Sequence, residues 1–85
     1  MSPDASEILE RLRRLVPGKI NVDPAQLKPE ADLADIGVDS FSLIELVFLV
    51  EDEFHITIPI EGLKVKTVGD VLDVIQRRFA EMPSS

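Results

Sequence analysis

Four segments of the chain place apolar residues at helical spacing, and this pattern constrains the fold more than any other feature. Residues 6–16, about 39–54 and 67–80 predict three main helices, and residues 60–63 predict one short turn of helix. The alternation of apolar and polar residues at 56–58 is too short to predict a β-sheet. The sequence therefore predicts an all-α fold, a small four-helix bundle of three main helices and one short helix. The apolar residues expected to face the core in the first and last helices are Ile8, Leu9, Leu12, Leu15, Val16, Val68, Val71, Leu72, Ile75 and Phe79.

A long first loop separates the first two main helices. Pro17-Gly18 ends the first helix, and residues 19–38 then form a connection that contains two prolines. Structureless connections of this length are uncommon inside small domains. Its spaced apolar residues predict that the loop is held against the core. Gly37 predicts a turn, and Asp39 or Ser40 is the candidate N-cap of the second helix. The last helix begins with Thr67 and Asp70, which resemble a capping box.

The length of the chain and its reactive residues limit both size and chemistry. Eighty-five residues suffice for one domain, expected to span 1–85 with an ordered core at about 6–80. The chain has no cysteine, which excludes disulfides and thiol catalysis, and His55 is its only histidine. The consecutive carboxylates at residues 51–53 point in different directions around a helix and lack calcium-loop spacing. We therefore expect no catalytic site and no metal site.

The charge of the chain excludes several partners. The formal net charge is −7, which disfavours nucleic acid and anionic membrane surfaces. The N-terminus carries acidic residues where a signal peptide carries basic ones, and the apolar stretch at 41–50 is too short to cross a bilayer. We therefore expect a cytoplasmic protein without membrane insertion. All nine basic residues lie outside residues 29–63, which contain nine acidic residues. Such a one-signed region steers oppositely charged partners or only solubilises the surface.

The second helix carries more apolar residues than one face can bury. If Leu43, Leu46, Val47, Val50 and Phe54 face the core, then a second set of apolar side chains lies outside, bordered by acidic residues. An exposed apolar strip beside one-signed charge is typical of a docking site. A differently rotated helix or a homodimer would bury the same residues. The predicted docking surface comprises Asp39, Phe41, Ile44, Glu45, Phe48, Glu51 and Asp52.

Ser40 is the residue best placed for chemistry, at the mouth of the second helix. Unsatisfied backbone donors and the positive end of the helix dipole lie beside it, so a phosphate ester attached there meets favourable electrostatics. On the Asp39-Ser40 dipeptide alone, a simple capping role is the more common explanation.

The surrounding residues resemble the attachment region of acyl carrier proteins. That family has a Gly-x-Asp-Ser-Leu core followed by a helix with a Glu-Leu pair. Further similarity continues through residues 51–54, through Ile58-Pro59 and into Thr67-Val68, so that it covers about residues 6–80. The matching residues of the core motif are Gly37, Asp39, Ser40, Glu45 and Leu46.

The resemblance implies a cofactor and a set of partners. Ser40 would be esterified with 4′-phosphopantetheine taken from coenzyme A by a phosphopantetheinyl transferase. The thiol of the arm would hold acyl chains as thioesters, and the carrier would present them to enzymes with basic docking patches. The carrier is expected to be a monomer. Electrostatic steering with a small apolar contact suits a carrier that must leave each enzyme again.

Some residues depart from the family pattern and leave the pathway open. Phe41 replaces the usual Leu after the serine, and Ile44 and Phe48 make the exposed strip bulkier. The segment at residues 60–66 is shorter and less acidic than in typical fatty-acid carriers. Fatty-acid, lipid, polyketide and nonribosomal-peptide pathways all remain possible. Two other interpretations are an acidic adaptor in which Ser40 only caps a helix, and a weak divalent-cation binder built on the carboxylates.

Overall fold

The computed structural model describes residues 4–59 and 63–81, and within these ranges the fold is helical without a strand. It contains helices α1 (Ala5–Leu15), α2 (Ser40–Phe54) and α3 (Val68–Glu81). The predicted all-α fold and its three main helices are confirmed. The predicted fourth helix falls mostly on residues 60–62, which lie outside the described residues.

The side chains of Asp4 and Thr67 cap the starts of α1 and α3. The Asp4 carboxylate accepts the Glu7 N–H at 2.8 Å and starts α1. The predicted capping box of α3 is confirmed, because Thr67 N–H donates to Asp70 at 3.1 Å and Asp70 N–H donates to Thr67 Oγ1 at 3.2 Å. These caps satisfy backbone donors that have no partner inside the helix. The boundaries of the helices therefore follow from local sequence.

One apolar core joins the three helices and the connections between them. The residues expected to face inward are buried with three exceptions: Leu15, Leu43 and Phe79 are only half-buried at its edge. Leu15 and Phe79 lie in the last turns of their helices, and Leu43 lines an open cleft. The buried residues are Ile8, Leu9, Leu12, Val16, Ile20, Leu27, Leu33, Val38, Leu46, Val47, Val50, Phe54, Ile56, Ile58, Val68, Val71, Leu72 and Ile75.

The long first loop is held against the core, as predicted. Ile20, Leu27 and Leu33 are buried, and a 3-10 helix that the sequence did not predict spans Pro24–Gln26. The Arg13 guanidinium of α1 donates to the Leu27 carbonyl oxygen from Nε at 3.2 Å and from Nη2 at 2.9 Å. Buried side chains and this paired hydrogen bond explain how so long a connection stays ordered.

The end of the loop also pairs with the chain that enters α3. Leu33 N–H donates to the Lys66 carbonyl oxygen at 2.9 Å, and Val68 N–H donates to the Ala31 carbonyl oxygen at 3.0 Å. Gly69 N–H donates to the Pro29 carbonyl oxygen at 2.8 Å. These bonds fix residues 66–69 beside the end of the first loop.

No helix among the described residues is long and apolar enough to cross a membrane.

Candidate functional site

Ser40 is the first residue of α2, and its side chain is exposed. The chain reaches this position through Gly37, which adopts a φ of +85°, a conformation that strongly favours glycine. Val38 N–H then donates to the Leu33 carbonyl oxygen at 2.9 Å, and the Val38 side chain is buried. The turn at Gly37 is therefore confirmed, and it presents Ser40 at the mouth of the helix.

Asp39, not Ser40, is the N-cap of α2. Its carboxylate Oδ1 accepts the Ser42 N–H at 2.8 Å, and its carbonyl oxygen accepts the Leu43 N–H at 2.8 Å. The hydrogen bond from the Ser42 backbone is the main cause that lowers the pKa of the Asp39 carboxyl below its ordinary value of 3.8. Because Asp39 satisfies the helix end, the Ser40 hydroxyl is not needed as a cap.

An open cleft of about 390 Å³ lies beside Ser40. It runs between the end of the first loop, the first turn of α2 and the segment that enters α3. The cleft leaves room for an elongated group bonded to Ser40 Oγ, and the adjacent helix mouth suits a phosphate. The residues present therefore fit an attached phosphopantetheine arm. The cleft is lined by Asp32, Leu33, Ala34, Val38, Asp39, Ser40, Leu43, Val65 and Lys66.

Sequence reasoning did not place Asp32 or Lys66 beside Ser40. Both reach the cleft because the first loop pairs with residues 66–69, a contact across more than thirty positions of the chain. No local motif signals this pairing. It depends on how the loop packs against the core.

The apolar strip of α2 lies outside the core. Phe41 is 67% exposed, Ile44 is 38% exposed and Phe48 is 57% exposed, whereas Val47 and Phe54 on the same helix are buried. The predicted orientation of α2 is confirmed, and the alternative in which a rotated helix buries the strip within the chain is wrong. The docking role of these residues stays a prediction.

The acidic residues of the docking surface occupy different environments. Glu45 and Asp52 are exposed, but Glu51 is half-buried, and its Oε2 accepts the Ile58 N–H at 2.8 Å. Glu51 thus ties the last turn of α2 to the chain that follows. The sequence pattern grouped Glu51 with its neighbours because helical spacing cannot reveal a bond to a later loop.

Among residues 4–59 and 63–81, no group of three or more His, Cys, Asp or Glu side chains is placed to hold a metal ion.

Comparison with known proteins shows which family the chain resembles. The family model described as a phosphopantetheine attachment site matches residues 10–75. The acyl carrier protein of Thermosynechococcus vestitus is 44% identical over 77 residues, which cover 88% of this chain and 95% of that protein. The acyl carrier protein of Phenylobacterium zucineum is 39% identical over 76 residues, covering 87% and 96% respectively. The chain therefore belongs to the acyl carrier protein family, whose members are carriers rather than enzymes and bear a covalently attached 4′-phosphopantetheine.

Proposed function

We propose that Ser40 is the attachment residue, and that the protein carries acyl groups and delivers them to enzymes of fatty-acid, lipid or polyketide biosynthesis. The observation that supports this most is the exposed Ser40 side chain, which opens on a cleft while Asp39 performs the capping. The attached arm supplies the thiol that holds an acyl group as a thioester, which this cysteine-free chain cannot supply itself.

Among the described residues, Ser40 is presented at the helix mouth without a histidine beside it to activate its hydroxyl. His55 lies at the opposite end of α2, which is about 22 Å long at 1.5 Å per residue. The Asp39 carboxylate already accepts a backbone N–H, and its lowered pKa makes it a weak base. We therefore expect the phosphopantetheinyl transferase to remove the Ser40 proton, whereas the carrier only presents the hydroxyl.

Partner enzymes would dock on the exposed strip of α2. Phe41, Ile44 and Phe48 supply a small apolar contact, and Glu45 and Asp52 border it with negative charge. A small contact guided by charge gives fast association and fast release. This combination suits a carrier that must visit several enzymes with basic patches.

The acyl chain would enter between α2 and α3 only if these helices separate. An apolar cavity there is lined by Val47, Ile58, Val65 and Val71 among others, but it holds only about 10 Å³, roughly one water molecule. Val65 and Leu43 line both this cavity and the cleft of Ser40. A growing chain bound through Ser40 therefore has an apolar path into the core.

Modification of matched variants tests the attachment. Wild type, Ser40→Ala and Ser42→Ala are incubated with coenzyme A and a phosphopantetheinyl transferase, and their intact masses are measured. We expect wild type and Ser42→Ala to gain one phosphopantetheinyl group and Ser40→Ala to gain none. Ser42 is a stringent control because it lies in the same helical turn.

Two results would contradict the proposal. Modification of Ser40→Ala would place the arm elsewhere. An unmodified but folded wild type would favour the acidic adaptor, in which the strip of α2 binds a partner and Ser40 carries nothing.

A further inference from the structure

We infer that Lys66 is the cation that pairs with the phosphodiester on Ser40 and thereby holds the near end of the arm in the cleft. This inference rests on the proposed attachment at Ser40. The phosphodiester carries one negative charge at any pH at which the protein is folded. A Lys ammonium, which is a compact charge on a flexible side chain, is a suitable partner for it.

Hydrogen bonds fix the backbone of Lys66 on both sides. Its N–H donates to the Asp70 carboxylate at 2.9 Å, and its carbonyl oxygen accepts the Leu33 N–H at 2.9 Å. Lys66 and Ser40 line the same cleft, and Lys66 is the only basic residue among those that line it. The side chain of Lys66 is exposed and therefore mobile enough to reach a group in the cleft.

Three carboxylates belong to the surroundings of Lys66: Asp32 and Asp39 line the same cleft, and Asp70 accepts the Lys66 backbone N–H. Each of the three already accepts a backbone N–H. Asp32 accepts from Ala34 at 3.0 Å, Asp39 accepts from Ser42, and Asp70 accepts from Lys66 and Thr67. The charge of Lys66 is the least of the causes that lower the pKa of Asp70, after the backbone hydrogen bonds from Lys66 and Thr67.

Lys66 takes part in none of the ion pairs within 4.0 Å that the described residues form. A phosphate attached to Ser40 would add a further negative charge to a cleft that Asp32 and Asp39 already make acidic. Lys66 is the basic residue of the cleft that can offset this repulsion. Its contribution to stability should therefore appear only after Ser40 is modified.

Comparison of the unmodified and modified forms tests this. Three proteins are unfolded by heat at low and high salt: wild type, Lys66→Gln and Lys64→Gln. Each is measured in its unmodified and its modified form. Lys64→Gln is the matched control, because it removes the same charge two residues away and Lys64 lines a different groove. We expect Lys66→Gln to lower the Tm of the modified form by about 1–8 °C more than that of the unmodified form, the shift typical of one exposed ion pair in a chain this small. High salt should remove the difference.

A second measurement reports the contact without reference to stability. In protein labelled with 13C-lysine, the Cε resonance of Lys66 should move when Ser40 is modified, whereas that of Lys64 should not.

The results separate this inference from the proposed function. Suppose that intact mass shows modified Ser40 but neither the Lys66 resonance nor the Tm difference responds; the Lys66 contact is then overturned and the attachment stands. The same conclusion follows if Lys64→Gln behaves like Lys66→Gln. If Lys66→Gln only slows the transferase, Lys66 contacts that enzyme rather than the arm, which also overturns the inference. If Ser40 is not modified at all, both proposals fail.

Discussion

Replacing either of two phenylalanines of α2 by alanine should have very different consequences for stability. Phe54 is only 6% exposed, whereas Phe48 is 57% exposed on the outer strip. The Phe54 ring packs edge to face against Phe79, with centroids 5.7 Å apart, and the Arg11 guanidinium lies 5.2 Å from its centroid. Phe54→Ala therefore removes contacts with α1 and α3 together, whereas Phe48→Ala shortens a side chain that lies outside the core.

The size of the difference follows from burial. Replacing a buried Phe by Ala costs about 3–5 kcal/mol, because apolar surface is lost and a cavity remains. A chain of this length has a free energy of unfolding of about 4–13 kcal/mol, so Phe54→Ala removes a large fraction of it. An exposed substitution such as Phe48→Ala changes the free energy of unfolding by about 0.5 kcal/mol or less.

Urea titration of both variants measures the difference. The chain has no Trp or Tyr, so helix content followed by circular dichroism is the appropriate signal. We expect Phe48→Ala to unfold close to wild type and Phe54→Ala to unfold at much lower urea, or to be partly unfolded in buffer. Equal losses of stability in the two variants would show that the orientation of α2 is wrong.

Three further predictions follow from individual contacts. Reversing Glu45 and Asp52 to Lys should slow modification by the transferase several-fold at low salt, with little change in unfolding free energy, as kinetics in a salt series would show. Because the pKa of Asp39 is lowered in the folded state, its ionised carboxylate contributes stability that is complete above about pH 3.8 and is lost as the pH falls through the lower folded pKa. Asp39→Asn should therefore weaken the pH dependence of Tm between pH 4 and 2. Gly69→Ala should lower Tm, although Ala ordinarily stabilises a helix by about 1 kcal/mol relative to Gly, because the added Cβ would lie 2.9 Å from the Pro29 carbonyl oxygen.

Local sequence determined the helices and their ends. The periodicity of apolar residues predicted α1, α2 and α3 to within a residue or two, and the capping box at Thr67 and the turn at Gly37 were correct in detail. These features depend on neighbours within one or two helical turns. A single sequence is sufficient to reveal such interactions.

Contacts between distant segments could not be predicted in the same way. The bond from Ile58 N–H to Glu51, the paired bonds from Arg13 to Leu27 and the position of Lys66 all depend on how loops pack against the core. A carboxylate that accepts a loop N–H has the same sequence pattern as one that faces solvent. The sequence therefore identified Ser40 and the outer strip but not the residues that complete the cleft.

The identity of the modified residue tests the central claim most directly. Residues 29–63 contain no Lys or Arg, so trypsin leaves Ser40 and Ser42 in one peptide, and fragmentation of that peptide must separate them. Tandem mass spectrometry of the modified protein should place the phosphopantetheinyl group on Ser40. Its location on Ser42 or on any other residue would contradict the account.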